Sequence, residues 1–338
     1  MKGTLENPFD DIIELIEVHE KRKPVFNQPT IEALFAPLFY HDDKFQPIVG
    51  TDGLVRLFPN RQLMELYRGQ VSSYPSCFPS LYRQEQGSVQ QLIDMIKTVE
   101  FELVLKEHPI IQELEQERLF IDYIGLAQHY GFKTNVLDLT SDVQVAAFFA
   151  CCPYNSMSNS HNVDIKEGAI GVIYQTLQIA FFNHDDPSKF EVVGLQPFHR
   201  PAQQKGYSYR LDIGEDFLTN CASIYFKHSQ KASDEIYMRF NGGDALYPYD
   251  PIVEIAQRVY GGNLILKTAL HISIENGSNY FKEAPSVYEE KLKQLGYQIT
   301  EESAYRFTDK EKLKIKWEWE NGGRENFYSQ IQPPRLMF

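Results

Sequence analysis

Residues 117–150 read ERLFIDYIGLAQHYGFKTNVLDLTSDVQVAAFFA, and the rest of the chain is arranged around them. Leu119, Ile121, Tyr123, Ile124, Leu126 and Ala127 are apolar at mostly helical spacing, which predicts a helix over 119–130. Gly131 ends it, because glycine is the usual residue just past a helix C-terminus. Asn135 to Asp138 is a short strand-like run, and Thr140, Ser141 and Asp142 supply an N-cap for an apolar helix over 143–151. Two segments that demand burial therefore flank a polar interruption carrying Gln128, His129, Asp138 and Thr140. A buried polar group without a partner costs about 1–3 kcal/mol. Four of them this close together predict either a satisfied network or a site.

Upstream, Leu63 to Tyr67 is expected as a strand with Arg68, Gly69 and Gln70 at its end. Two readings of Arg68 are open. Its fixed fork of donors can point into a cleft for a phosphate or carboxylate, or it can tie two loops together through carbonyls. The loop that follows carries Tyr74, Pro75, Phe78 and Pro79 and leads through Ser80 into Leu81, Tyr82 and Arg83. A long helix over 89–106 is broken by His108 and Pro109 and resumes to Glu117, with its many glutamates on a solvated face. Further upstream, Asn7 and Pro8 cap a helix over 9–19, a second helix is expected around 31–38, and a turn-rich region follows with Pro47, Gly50, Gly53 and Pro59.

Downstream, residues 155–162 are a polar loop, 168–174 a buried strand and 176–199 irregular. Arg200, Gln203 and Gln204 precede Gly206 and an alternating strand over 207–211. Strands are expected over 222–226 and 235–240, a helix over 250–259, a strand or strand pair over 264–274, and a helix over 286–296. A terminal strand followed by a loop is expected in the tail. No repeat and no flexible linker interrupts this order. The economical division is a helical extension over 1–60, one α+β domain over 61–310, and a tail over 311–338.

Composition narrows the functional classes. Apolar residues make up 43% and aromatics 13% of 338 residues, which is the composition of a folded chain. No run of about 18 apolar residues occurs, so no membrane span is expected. The start, MKGTLENPFDD, lacks the basic end and apolar core of a secretion signal, and a cytoplasmic location is expected. A net charge of −13 disfavours a general electrostatic grip on nucleic acid, although a local basic patch stays open. Cys77, Cys151, Cys152 and Cys221 form no CxxC pair, so reduced thiols are expected rather than a disulfide framework or a zinc knuckle. The sequence contains no GxGxxG, no GK[ST] loop, no HExxH and no GxSxG. His129 has no partner four residues on, no metal is expected, and a nuclease is disfavoured because no Asp/Glu/His cluster has metal-like spacing.

Taken in order, Tyr67-Arg68-Gly69-Gln70, Pro79-Ser80-Leu81-Tyr82-Arg83, Leu126-Ala127-Gln128-His129-Tyr130-Gly131, Leu137-Asp138-Leu139-Thr140 and Val145 to Ala150 resemble the FRG domain family. Arg200 to Gly206 is similar to that family's later R-x-x-Q-x-x-G element, so the resemblance covers 63–210 and thins toward 310. Tyr67 stands where the family usually has Phe, and Leu139 where Trp is common. The FRG family is in turn similar to ADP-ribosyltransferases. That likeness implies an ADP-ribosyltransferase-like split β-sheet core with flanking helices, an arginine on the first strand at Arg68, and a Ser-Thr-Ser-type element at Leu139-Thr140-Ser141.

The same resemblance implies NAD as substrate. Arg68 would hold the pyrophosphate or the ribose phosphate, with Gln70 and Arg200 as further binding residues. Gln128 and Thr140 would order the nicotinamide ribose, and Tyr82 or Tyr130 would stack on the nicotinamide ring. The transferases' later-strand Glu falls at Gln203 or Gln204, so the catalytic set implied is Arg68, His129, Asp138 and Gln203. In it Asp138 stabilises the oxocarbenium-like transition state, and His129 acts as base or ribose ligand. An Asp closing a turn and a His bonded to a carbonyl are the structural alternatives. The expected function is ADP-ribosyl transfer to a macromolecular acceptor, nucleic acid or protein, in a bacterial toxin or phage-defence setting, with a regulatory partner protein possible. The other class expected is a non-catalytic nucleotide-binding sensor or interaction module.

Overall fold

The computed structural model describes residues 2–21, 44–59, 64–155, 160–178, 189–195, 198–248 and 251–332. In chain order the first half holds α1 (Ile12–Glu20), β1 (Phe45–Val49), β2 (Val55–Pro59), β3 (Glu65–Gln70), α2 (Val89–Leu105), α3 (Pro109–Gln116), α4 (Tyr123–His129), β4 (Val136–Thr140), α5 (Val143–Cys151), β5 (Tyr154–Asn155) and β6 (Ser160–His161). The second half holds β7 (Ile170–Leu177), β8 (Phe190–Val192), α6 (His199–Gln203), β9 (Gly206–Arg210), β10 (Ala222–Lys227), α7 (Gln230–Arg239), α8 (Pro251–Gly261), β11 (Leu264–Leu266), α9 (Lys267–Asn276), α10 (Pro285–Gln294), β12 (Gln298–Thr300), α11 (Asp309–Glu318) and α12 (Arg324–Ser329).

Six of these strands form one antiparallel sheet in the order β10-β7-β3-β4-β9-β8. Alternation along each strand sends side chains to two cores. Leu66, Val172, Tyr174, Leu137 and Leu139 face the core shared with Phe101 and Leu105 of α2 and Ile252 and Ile255 of α8. Tyr67, Ile173 and Phe226 face the core built by α1, α5 and α7. The other flank of α2, through Leu92, Ile93 and Ile96, closes a third cluster with Ile265, Leu270 and Leu292. Mixed helix and antiparallel sheet make this an α+β fold, as expected from the sequence.

Several local expectations are corrected. The helix expected over 119–130 begins only at Tyr123, because Asp122 caps it by accepting from the Gly125 amide and Leu119 bridges to Val55 instead. Residues 235–240 are the end of helix α7, since Ala232 and Ile236 share one buried stripe a turn apart. The 264–274 segment is a three-residue strand followed by α9. The tail is helical: Thr308 and Glu311 form a capping box for α11, and Ile315 and Trp319 bury its inner face. The turn-rich region is the β1–β2 hairpin, and β8 lies inside the segment expected to be irregular. The helix expected around 31–38 lies outside the described residues.

Candidate functional site

The sheet opens between β3 and β4. These strands pair only at Tyr67↔Thr140, whereas β3 pairs with β7 at six positions and β4 with β9 at five. Helix α5 sits directly on the β3 backbone there, so close that a Cβ on Gly69 would lie 1.8 Å from the Ala146 carbonyl oxygen. Arg68, one residue earlier and inside the strand rather than at its end, reaches across the opening. Its Nη1 donates to the Asp138 carbonyl at 2.9 Å, and its buried Nε makes no hydrogen bond. Arg68 thus ties to a carbonyl, as one of its two anticipated roles had it, but between two strands rather than two loops, and its buried Nε is left unbonded.

His129 ends α4 and is buried, at 7% exposure. Its Nδ1 lies 2.9 Å from Gln204 Oε1, and Gln204 Nε2 donates to the Leu246 carbonyl at 3.0 Å. The second bond orients the amide, so Nδ1 is the donor and Nε2 is free to take the other role. Nε2 faces Asp138 Oδ1 across 3.7 Å, too far for a hydrogen bond, and neither atom has another partner. A lone pair and a carboxylate oxygen facing one another need a proton or a ligand's donor between them. Gly206 leaves the imidazole its place: a Cβ there would lie 2.6 Å from Cε1 and 2.7 Å from Nε2.

Asp138 is supported from its other side. Gln128 Nε2 donates to Oδ2 at 3.4 Å, and the Thr134 hydroxyl donates to Gln128 Oε1 at 2.6 Å. Its side chain keeps 34% of its exposure, so the carboxylate meets solvent. Arg200 closes the rim. Its guanidinium lies 5.1 Å from the Tyr130 ring and 5.0 Å from the Tyr247 ring, with Nη1 donating to the His129 carbonyl at 3.3 Å. Its buried Nε is without a partner. Tyr247 completes the group. Burial pushes its hydroxyl above the usual tyrosine range, Arg200 opposes that shift and the Asp138 charge adds to it.

Gln128, His129, Asp138 and Arg200 therefore converge, while Arg68 touches this group only at the Asp138 carbonyl, its side chain leaving β3 on the face opposite to that of Tyr67 and Asp138. Other expected residues do not converge. Gln203 is exposed, and Gln204 takes the inward place because the short helix α6 turns it toward His129. The Thr140 hydroxyl is spent within the fold, donating to the Gln204 carbonyl at 2.8 Å and accepting from the Asp142 amide at 3.1 Å. Tyr82 is hydrogen-bonded to the side chain of Asn135, the residue before β4, roughly 10 Å along the chain from Asp138. Tyr130 is buried against Phe101 and covered by Arg200. Gln70 points to Cys77 Sγ at 3.6 Å, with its Oε1 unbonded. Cys151 and Cys152 are buried, and burial raises both thiols, Cys152 to about 12, which disfavours a thiolate nucleophile.

A second polar cluster lies on the same face. Asp138 pairs across the sheet with Ser208, and Ser208 with Glu191. The Ser208 hydroxyl donates to Asp122, and Arg56 Nε donates to Glu191 at 3.0 Å. Burial, then the Asp122 charge, raises the Glu191 carboxyl to about 8 against the pull of Arg56. Sequence reading missed this cluster.

With the geometry in place, comparison with known families adds one match. Residues 64–159 match the FRG domain family. The FRG segment holds Arg68, Gln128, His129, Asp138 and Thr140, and it ends before Arg200, Gln204 and Tyr247. The site is thus built from the FRG segment and from downstream residues that fold back onto it. No curated protein and no solved structure matches the chain. No described helix is long and apolar enough to cross a membrane.

Proposed function

We propose that the protein is an NAD-dependent, ADP-ribosyltransferase-like enzyme acting on a macromolecular acceptor. The observation that carries this reading is the facing pair His129 Nε2 and Asp138 Oδ1, both without partners at 3.7 Å, beside the sheet opening that Arg68 crosses. Arg68 and Arg200 supply positive charge for the diphosphate, each with an unpaired Nε. Asp138 presents a negative oxygen to the ribose as the bond from C1′ to the nicotinamide nitrogen breaks and positive charge spreads over C1′ and the ring oxygen. Nicotinamide leaves with the electrons of that bond. The acceptor's nucleophilic atom then bonds to C1′ and gives up its proton to the His129–Asp138 pair. The buried donor set fits a dinucleotide's polar backbone better than an apolar ligand.

The test is nicotinamide release and acceptor labelling from NAD. Wild-type protein is expected to release nicotinamide, and Asp138→Asn to lose ~10²–10³-fold in rate. Intact turnover in both Arg68→Ala and Asp138→Asn rules the assignment out.

A second reading, nucleotide binding without turnover, is favoured by one observation. The neighbouring carboxylates on this sheet face, Asp122 and Glu191, are buried and bonded to Ser208 and Arg56, which leaves Asp138 as the acid open to the cleft. Calorimetric NAD binding with no nicotinamide release selects it.

A further inference from the structure

We infer that the tight turn Asn241–Gly243, acting through the Leu246 carbonyl and Gln204, fixes the proton of the neutral His129 ring on Nδ1 and keeps Nε2, the nitrogen facing Asp138, bare. Gln204 is thereby a positioning residue for the function proposed above. The inference rests on that reading only for what the bare nitrogen does in the reaction. Three successive residues of the turn have left-handed backbone, with φ of 49° at Asn241, 70° at Gly242 and 107° at Gly243. Asn tolerates that region and glycine enters it freely. Gly243 is buried, and a Cβ on it would lie 3.1 Å from Cζ of Phe148 in α5. The Gly243 carbonyl accepts from the amides of Leu246 at 2.9 Å and Tyr247 at 3.1 Å. The Tyr247 amide and the Leu246 carbonyl belong to one trans peptide unit, so they point in opposite directions. Holding the N–H on the turn therefore aims the carbonyl away from it, at Gln204, whose Nε2 lies 3.0 Å off.

Each later link has one allowed role. A backbone carbonyl only accepts, so the Gln204 nitrogen faces Leu246 and its Oε1 faces His129. Oε1 only accepts as well, so His129 Nδ1, 2.9 Å away, carries the proton. The backbone of Gln204 is fixed independently. Its amide donates to the Arg200 carbonyl at 3.2 Å, and its carbonyl accepts from the Thr140 hydroxyl at 2.8 Å. Both Gln204 and His129 are buried, so water does not scramble the order. Two forces pull the other way. A histidine ring in water prefers its proton on Nε2, and Asp138 Oδ1 at 3.7 Å would draw an Nε2 proton toward itself. A ring that yielded would close on Asp138 as a satisfied pair, with no lone pair for an incoming proton. Turning the Gln204 amide over to allow this would set its oxygen against the Leu246 carbonyl and lose a buried bond. Gln204 and the turn lie beyond residues 64–159, so the FRG segment holds the base but not the setting of its proton.

The experiment reads the ring-nitrogen NMR shifts of full-length protein carrying labelled histidine, at a pH where the ring is neutral, with His129 assigned by the signals that His129→Gln loses. Wild-type protein is expected to show Nδ1 protonated and Nε2 bare. Gln204→Leu is expected to move the proton to Nε2. Gln204→Met, unbranched and of like volume, takes its place should that variant not fold. Gly243→Ala, which strains φ without touching the site, is expected to give a mixture of the two tautomers. In nicotinamide release, Gln204→Leu should lose ~10²-fold in kcat with the KM for NAD unmoved. A wild-type proton on Nε2, or a proton that stays on Nδ1 in the Gln204 variants, overturns the inference. A moved proton in Gln204→Leu with Gly243→Ala like wild type overturns the part given to the turn. The expected tautomers with no nicotinamide release from any of the proteins keep the lock and remove the enzyme. Release that is indifferent to the moved proton overturns the positioning role of Gln204.

Discussion

Two polar clusters lie on one face of one sheet, a single strand apart, and they have opposite characters. Around Glu191 the polar groups are satisfied: Asp122 takes the Ser208 hydroxyl and caps α4, and the Glu191 carboxyl accepts from Arg56 of the β1–β2 hairpin. Around Asp138 they are open: Asp138 Oδ1, His129 Nε2 and Arg200 Nε are buried without partners. Both places bear the desolvation cost of burying polar groups. In the first, the fold itself supplies the compensating bonds and gains a fastening between the hairpin, α4 and the sheet edge. In the second, bonds are withheld, and a ligand is the natural partner. Polarity alone does not mark a site; polarity left unsatisfied in a place that solvent can reach does.

A pair of glycines gives the sharpest way to break this contrast, with the largest expected effect. Gly206 abuts His129, and Gly125 abuts Asp122, where a Cβ would lie 2.2 Å from Oδ2. Each change to alanine overpacks a buried polar group and is expected to cost ~1–3 kcal/mol in stability. Only Gly206→Ala should also cost ~10²-fold in nicotinamide release, because a displaced catalytic ring forfeits its alignment. Urea melts combined with turnover of the folded fraction make the comparison. Equal losses of turnover in the two variants erase the distinction between the clusters.

The open cluster was more legible in the sequence than the closed one. Arg68, Gln128, His129 and Asp138 sit in short blocks whose residue types and order are informative, and β4 and α5 have the patterns expected of them. Gln203 and Gln204 could not be told apart, because a five-residue helix sets the phase and its start is fixed by tertiary contacts. Tyr247 lies in a stretch after α7 with no periodicity, and its place depends on the bond from Gln204 to the Leu246 carbonyl. Glu191 sits on a three-residue strand, too short for alternation to show. Arg56 is paired with it over 135 positions, a contact no local pattern encodes. The tail was misread because Ile315 and Trp319, one helical turn apart, lie among lysines and glutamates that blur the stripe.

An intermediate effect is expected from pH, and it belongs to the closed cluster. The Glu191 carboxyl is raised from 4.5 to about 8 by burial, so the folded protein holds a proton that the unfolded chain releases between those values. Native protein binds more protons than unfolded protein in that window, so stability from this group is full below the lower value and is lost as pH rises through the upper one. The slope is at most ~1.4 kcal/mol per pH unit. Glu191→Gln should flatten it while leaving nicotinamide release unchanged at neutral pH. Urea midpoints at about pH 5, 6.5 and 8 for both proteins decide the matter. A wild-type slope that persists in Glu191→Gln assigns the proton elsewhere.

The smallest effect tests whether Tyr247 belongs to the site or only to its wall. Its ring lies on Arg200 and, 5.0 Å from the His161 ring, on the aromatic cluster behind α5. Tyr247→Phe keeps both ring contacts and should change stability by less than about 0.5 kcal/mol. Tyr247→Ala removes one of the two rings that hold the Arg200 guanidinium, a contact worth ~0.5–1 kcal/mol at a partly exposed place. Freed on that side, Arg200 loses its fixed direction, and the Michaelis constant for NAD should rise ~3–5-fold with little change in maximal rate, the signature of a lost binding contact rather than a lost chemical group. Arg200→Ala sets the ceiling for that rise. If Tyr247→Ala matches wild type while Arg200→Ala is impaired, the guanidinium is held by Tyr130 and the His129 carbonyl alone, and the downstream loop only covers a site that is complete without it.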